Sequence, residues 1–173
     1  MELPKIDFVN INYPLKILLL GNQDTWGSML AVIADLTPEQ LTYKASGLAS
    51  FAYKHPNYVQ RNIAEMINHA LDTQYGFYTK HLVLGEDLPE PLYKNLAQSA
   101  VEAQLRIIET YQKVVDLWGK LTAQDFTKEI KTEWGQTLTG ELALFQSITH
   151  THYHVSEICF LRGLGGFPTQ VMG

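Results

Sequence analysis

Cysteine is nearly absent from this chain, and positive charge is outnumbered by negative. Cys159 is the only cysteine, which excludes an intrachain disulfide and a thiolate-rich metal cage and makes a reducing cytoplasm the default expectation. Thirteen Lys and Arg residues against eighteen Asp and Glu leave a formal charge of −5, and the cations form no cluster. Non-specific nucleic-acid binding, which depends on phosphate-neutralising cations, is therefore not expected. Long apolar runs are missing too. Ile17 to Leu20 and Met29 to Ala34 fall far short of the ~20 residues of a membrane span, and Met1-Glu2-Leu3-Pro4-Lys5 lacks the basic start and apolar core of a secretory signal. There is no internal repeat and no low-complexity tract.

What is present is the balance of a soluble globular protein, 46% hydrophobic and 18% charged over 173 residues. That suffices for one domain, 1–173, with a sizeable core. Apolar residues recur at helical spacing in four long segments. The first runs from about Pro14 to Leu36, with Pro14 suited to a first turn because its missing N–H costs nothing there. Thr37-Pro38-Glu39-Gln40 has the form of a capping box opening a short helical turn, before a long loop around Gly47 to Asn57. A second helix is expected from about Val59 to Leu84, its inward residues including Ile63, Ile67, Leu71 and Phe77, interrupted by Gly76 and closed by Gly85. Gly85 to Pro91, with two prolines, is the clearest linker. The third helix follows to about Leu121. Thr122 to Gln136 predicts a short helix or an irregular crossover. The fourth helix spans about Thr137 to Arg162 and exits through glycines and Pro168. With no convincing strand, the fold class expected is all-α, a four-helix bundle.

Six histidines occur, at positions 55, 69, 81, 150, 152 and 154. Residues four apart share a helix face, with Cβ atoms ~5–6 Å apart, so His150 and His154 can point at one ion while His152 projects to nearly the opposite side. An isolated pair of this kind is more often surface decoration, and a buried site needs a ligand from another helix. His69, central in the second helix, is one candidate and His55, in the loop, the next. His81 lies three turns beyond His69, too far to share an ion with it. Glu157 is one turn past His154, the nearest carboxylate on that stripe, suited to orienting an imidazole or to moving a proton. Cys159, rotated away from the pair, reads as a small core residue. Trp26, Trp118 and Trp134 read as packing, and Tyr75, Phe77 and Tyr78 as core and pocket wall.

These segments resemble the DinB/YfiT-like family. Ile63-Ala64-Glu65-Met66-Ile67-Asn68-His69-Ala70 is similar to its second-helix segment with a central histidine. His150-Thr151-His152-Tyr153-His154-Val155-Ser156-Glu157-Ile158 resembles its last-helix motif, with Ser156 where glycine is common and Val155 where a basic residue often stands. Phe160-Leu161-Arg162-Gly163 onward to Pro168 resembles its exit, and Asp35 to Leu41 the close of its first helix. The resemblance implies a four-helix bundle, commonly a homodimer, with one divalent ion, zinc or nickel first, on His69, His150 and His154. It implies a small-molecule substrate. The activity it ranks first is transfer of a low-molecular-weight thiol such as bacillithiol or mycothiol. Hydrolysis by metal-activated water, with Glu157 carrying the proton, comes second. A non-enzymatic bundle with a bracing metal is the third possibility.

Overall fold

A computed structural model describes residues 1–8, 11–45 and 61–169. The long loop expected around 47–57, His55 within it and the expected helix start at Val59 lie outside the described residues. Four rods make the bundle: α1 (Tyr13–Ile33), α3 (Ile63–Asp72) with its continuation Thr73–Leu84, α4 (Ala100–Trp118) and α6 (Gly140–Leu164). Two short helices, α2 (Pro38–Leu41) and α5 (Ala123–Thr127), sit in the connections. The caps follow from the sequence. Asn12 accepts from the Leu15 N–H, with Pro14 in the first turn. The box at α2 forms as expected, Thr37 and Gln40 bonding each other's backbone N–H. α6 starts at Thr139, which accepts from Leu142 N–H.

Two features depart from expectation. The stretch after Thr122 holds a strand pair as well as a helix. β1 (Glu129–Lys131) and β2 (Thr137–Thr139) pair antiparallel, with Ile130 opposite Leu138 and both buried. The ribbon turns at Gly135, whose φ of +82° is the left-handed region open to glycine. Three-residue strands carry too little alternation to stand out, so the assembled bundle, by burying Ile130 and Leu138, decides this local structure. The second departure is the winding of Thr73–Leu84, which is π-helical over 12 residues. Hydrogen bonds from i to i+5 widen each turn, so residues past Thr73 leave the register that a period of 3.6 assigns them. Gln74, Gly76, Thr79, Leu82 and Val83 turn inward, while Phe77, expected on the inward face, is only half-buried.

The core divides in two. One cluster joins Trp26, Met29, Ile33, Ile67, Leu71 and Ile107 with Ile158; the other joins Leu18, Leu19, Leu82, Trp118, Leu144 and Ile148. Between them each rod contributes buried polar side chains: Asn22, Gln74, Thr79, Thr110, Ser147 and Thr151. Buried polar groups need partners: Ser147 and Thr151 donate to carbonyls of their own helix, while Asn22, Gln74 and Thr79 bond across the bundle. Trp26 Nε1 donates to Gln74 Oε1 (2.6 Å), Gln74 Nε2 to Asn22 Oδ1 (2.8 Å) and Trp118 Nε1 to Thr79 Oγ1 (3.0 Å). These bonds hold the π-helical segment against α1 and α4.

Two contacts close the bundle at its ends. Gly140 opens α6 so close to α5 that a Cβ would run into the Asp125 carbonyl. At the other end Arg162, 1% exposed, donates Nη1 to Val32 O (2.6 Å) and, with Nη2, a fork of bonds to Asp35 (2.7 and 2.9 Å). Its Nε donates to Phe167 O. The arginine of the exit segment thus ties α6 to the end of α1 and to the chain after α6. The Arg162 bonds hold the Asp35 carboxyl below its ordinary 3.8.

Arg162→Ala should destabilise the protein by about 3–5 kcal/mol, because the backbone acceptors and Asp35 lose a buried charge. Asp35→Asn should cost less, and its effect should have a sign in pH. A carboxyl with a lowered native pKa stabilises above its unfolded value and loses that contribution as pH falls through the native one. Urea midpoints for the Asn variant and the wild type should therefore differ at pH 7 and converge below pH ~3.8.

Candidate metal centre

α3 begins at Asn62, which forms a reciprocal box with Glu65: Asn62 Oδ1 accepts from Glu65 N–H (2.8 Å) and Glu65 Oε2 from Asn62 N–H (2.7 Å). This fixes the register of the following turns and carries His69 to the face packed on α6. On α6, His150 and His154 occupy successive turns of the opposing face. Ring centroids are 5.2 Å apart for His69 and His150, 5.0 Å for His69 and His154, and 4.5 Å for His150 and His154. One ring nitrogen from each lies within 4.8 Å of the others. His152 is exposed and turned away. His81 ends the π-helical segment, its Nδ1 bonded to Glu86 O (2.9 Å). Among the described residues this is the one grouping of three such side chains with ligand atoms this close.

The chemistry of the donors fits a divalent ion. Nε2 of His150 and of His154 face each other at 3.3 Å, and two nitrogens ~2.0–2.1 Å from one tetrahedral ion are about 3.3–3.4 Å apart. Behind His154, Nδ1 meets Glu157 Oε2 at 2.6 Å. A carboxylate there accepts a hydrogen bond from Nδ1–H and so leaves the Nε2 lone pair free, the arrangement common behind metal-bound histidines. Thr73 Oγ1 lies 3.4 Å from His69 Nδ1 in the same supporting position. Protonation states also suit ligation, which needs neutral imidazole. Burial first, then the positive charge of Arg61 and the neighbouring imidazoles, pushes His69 down to about 3. Burial first, with His154 and Arg61, pushes His150 down to about 4, against an opposing pull from Glu157.

The centre opens into a cleft of about 570 Å³. His69 and His150 form its floor, the π-helical segment one wall, and the linker Leu88–Leu92 the other. The linker is pinned there. Leu92 N–H donates to Asp72 Oδ1 (2.8 Å), and Asn68 Nδ2 donates to Asn95 O (3.1 Å). Gly76 permits the approach, since a Cβ on it would come within 3.1 Å of the Pro89 ring. Burial raises the Asp72 carboxyl above its ordinary value. Trp134, expected as packing, is 49% exposed and lies at the cleft against Phe77, centroids 5.8 Å apart. Tyr78, foreseen only as core or pocket wall, lines the same cleft with its ring 6.1 Å from that of His150. Sequence reasoning missed Asp72 and Trp134 as site residues. Asp72 stands three positions after His69, a usable signal; for Trp134 no sequence signal existed, because only the ribbon turn brings it over.

The buried imidazoles give the metal-free protein a pH-dependent stability. Below the unfolded value of 6.5 the unfolded chain takes up protons that His69 and His150 refuse. Stability should fall as pH drops from 6.5 to about 5, before carboxylates titrate. Denaturation with chelator present checks this, and His69→Gln should flatten the slope.

Three comparisons bear on identity. No curated protein matches the chain. Among solved structures, YfiT from Bacillus subtilis, described as a probable metal-dependent hydrolase with an unusual four-helix bundle topology, superposes with a TM-score of 0.63. It covers 95% of each chain at 14% sequence identity, a likeness of fold. The family model of the DinB superfamily matches residues 22–158, from the middle of α1 to beyond Glu157. With the bundle, the order of its motifs and most of its length matched, the chain belongs to the DinB superfamily.

Proposed function

We propose that the protein is a divalent-metal-dependent hydrolase of small molecules, with zinc or nickel held by His69, His150 and His154. The observation that carries this reading is the convergence of three imidazole nitrogens from two helices on the floor of an open cleft. An ion on three neutral ligands keeps its charge and an open position, and supplies Lewis acidity that brings water or thiol deprotonation toward neutral pH.

The side chains divide the remaining work. Glu157 is a positioning residue: engaged with His154 Nδ1, it holds that imidazole's tautomer and direction. Asp72 takes the role of proton acceptor. It lies on the cleft wall one turn from His69, and its raised pKa brings it nearer the operating pH of a general base. The described hydrolase-like fold of YfiT supports the same reaction class. A bracing metal without catalysis suits a closed site; here two of the three imidazoles border a cleft.

Thiol transfer draws on the same imidazoles and is the competing reading. A sugar thiol is polar along its length, whereas the described cleft wall carries Tyr75, Phe77, Tyr78 and Trp134 with Pro89 and Pro91. Apolar walls favour a less polar substrate.

The test is turnover of an ester and amide panel by zinc-loaded protein, with and without added thiol. Turnover without thiol, lost in His154→Ala, is expected; turnover that requires thiol would make the transferase reading the correct one. Glu157→Gln should weaken metal binding about 10–100-fold and keep activity at saturating metal. Asp72→Asn should retain metal and lose about 10²–10⁴ in kcat. Full activity in Asp72→Asn would remove it from the mechanism.

A further inference from the structure

The cleft has a chemical character that the metal centre alone does not dictate. Its volume of about 570 Å³ lies within the range of ~300–1,000 Å³ usual for small-molecule sites. Trp134 and Phe77 present their rings at 34° to each other on one side, and Pro89 closes on Gly76 on the other. Tyr78 stands between this apolar portion and His150. The charged side chains lining the cleft are Asp72 and Glu90, both acidic, with no Lys or Arg among the described lining residues. Two nearby cations are accounted for. Lys80 is paired with Glu86 at 2.8 Å, and Arg61, whose charge reaches the histidines, is not part of the lining.

An exposed tryptophan on a short ribbon has little reason to be held over a cleft by packing alone. Its indole Nε1 donates to Gln136 Oε1 at 3.1 Å, which restrains a ring that stays 49% exposed. Aromatic rings prefer offset or edge contacts with other rings, beyond the gain from area alone.

We infer that this cleft binds a flat aromatic group of the substrate, with Trp134 and Phe77 as its stacking wall and the reacting bond directed toward His69 and His150. The inference rests on the reading of that site as a small-molecule centre, and it names the substrate class: aryl or arylmethyl compounds. Trp134 is the specificity-determining residue, acting on binding and not on the metal.

Calorimetric binding to the metal-loaded protein, without turnover, tests it. The probes are 2-naphthylmethanol and its saturated decahydro counterpart. The naphthyl probe should bind about three- to tenfold tighter than the saturated one. Trp134→Ala should weaken naphthylmethanol about tenfold with bound metal unchanged, and Trp134→Phe should recover part of the loss. Equal binding of the aromatic and saturated probes, or an unchanged affinity in Trp134→Ala, would each overturn the inference. Because no reaction is measured, the outcome is separate from the hydrolase reading. Tight naphthyl binding without ester turnover would sink the reaction and keep the cleft, and turnover on aliphatic esters with no naphthyl preference would do the reverse.

Discussion

The packing of α3 on α6 at the level of His69 is the contact on which the rest depends. It brings an imidazole from one helix to within ring-contact distance of two from another. It does so in a part of the bundle where burial keeps His69 and His150 neutral. Neutral imidazole is poor at repelling a cation and good at binding one. The same desolvation that costs stability in acid therefore leaves these imidazoles in the protonation state that metal binding would need. Glu157 completes the arrangement by fixing the His154 tautomer from behind.

The second constraint is the change of winding after Asp72. If the α-helical register continued through Thr73–Leu84, Phe77 would turn inward with the other apolar residues. The wider turns bring Thr79 into the interior, where Trp118 bonds it as Trp26 bonds Gln74, and put Phe77 and Tyr78 on the cleft wall. π-Helical turns are uncommon and recur at functional sites. Here the winding supplies a wall that an unbroken α-helix in this register would not. Gly76 lets the Pro89 linker close from the other side.

Arg162 and Gly140 secure the frame from its two ends. One is a buried cation whose bonds run to the end of α1 and to the chain after α6. The other is a position where α5 and α6 approach too closely for any side chain. Neither touches the cleft, and both keep α6, which carries two of the three histidines, in place.

Much of this was legible in the residues. The spacing of His150 and His154, the stop at Gly85, the box at Thr37 and the four apolar periodicities are local, because each depends on helix geometry within a few residues. His69 was one candidate among others until family resemblance ranked it, since no spacing rule joins side chains eighty positions apart. The strand pair, the π-winding and the position of Trp134 were not legible. Their causes are burial of Ile130 and Leu138, cross-bundle bonds to Gln74 and Thr79, and a turn that delivers an indole across the fold. By itself the sequence determined the rods, their caps and the identity of the donor atoms, since these follow from short-range sterics and hydrogen bonding. Tertiary structure alone decided which donors meet, how they are desolvated and what cleft lies above them, because convergence and burial exist only once distant segments share a surface.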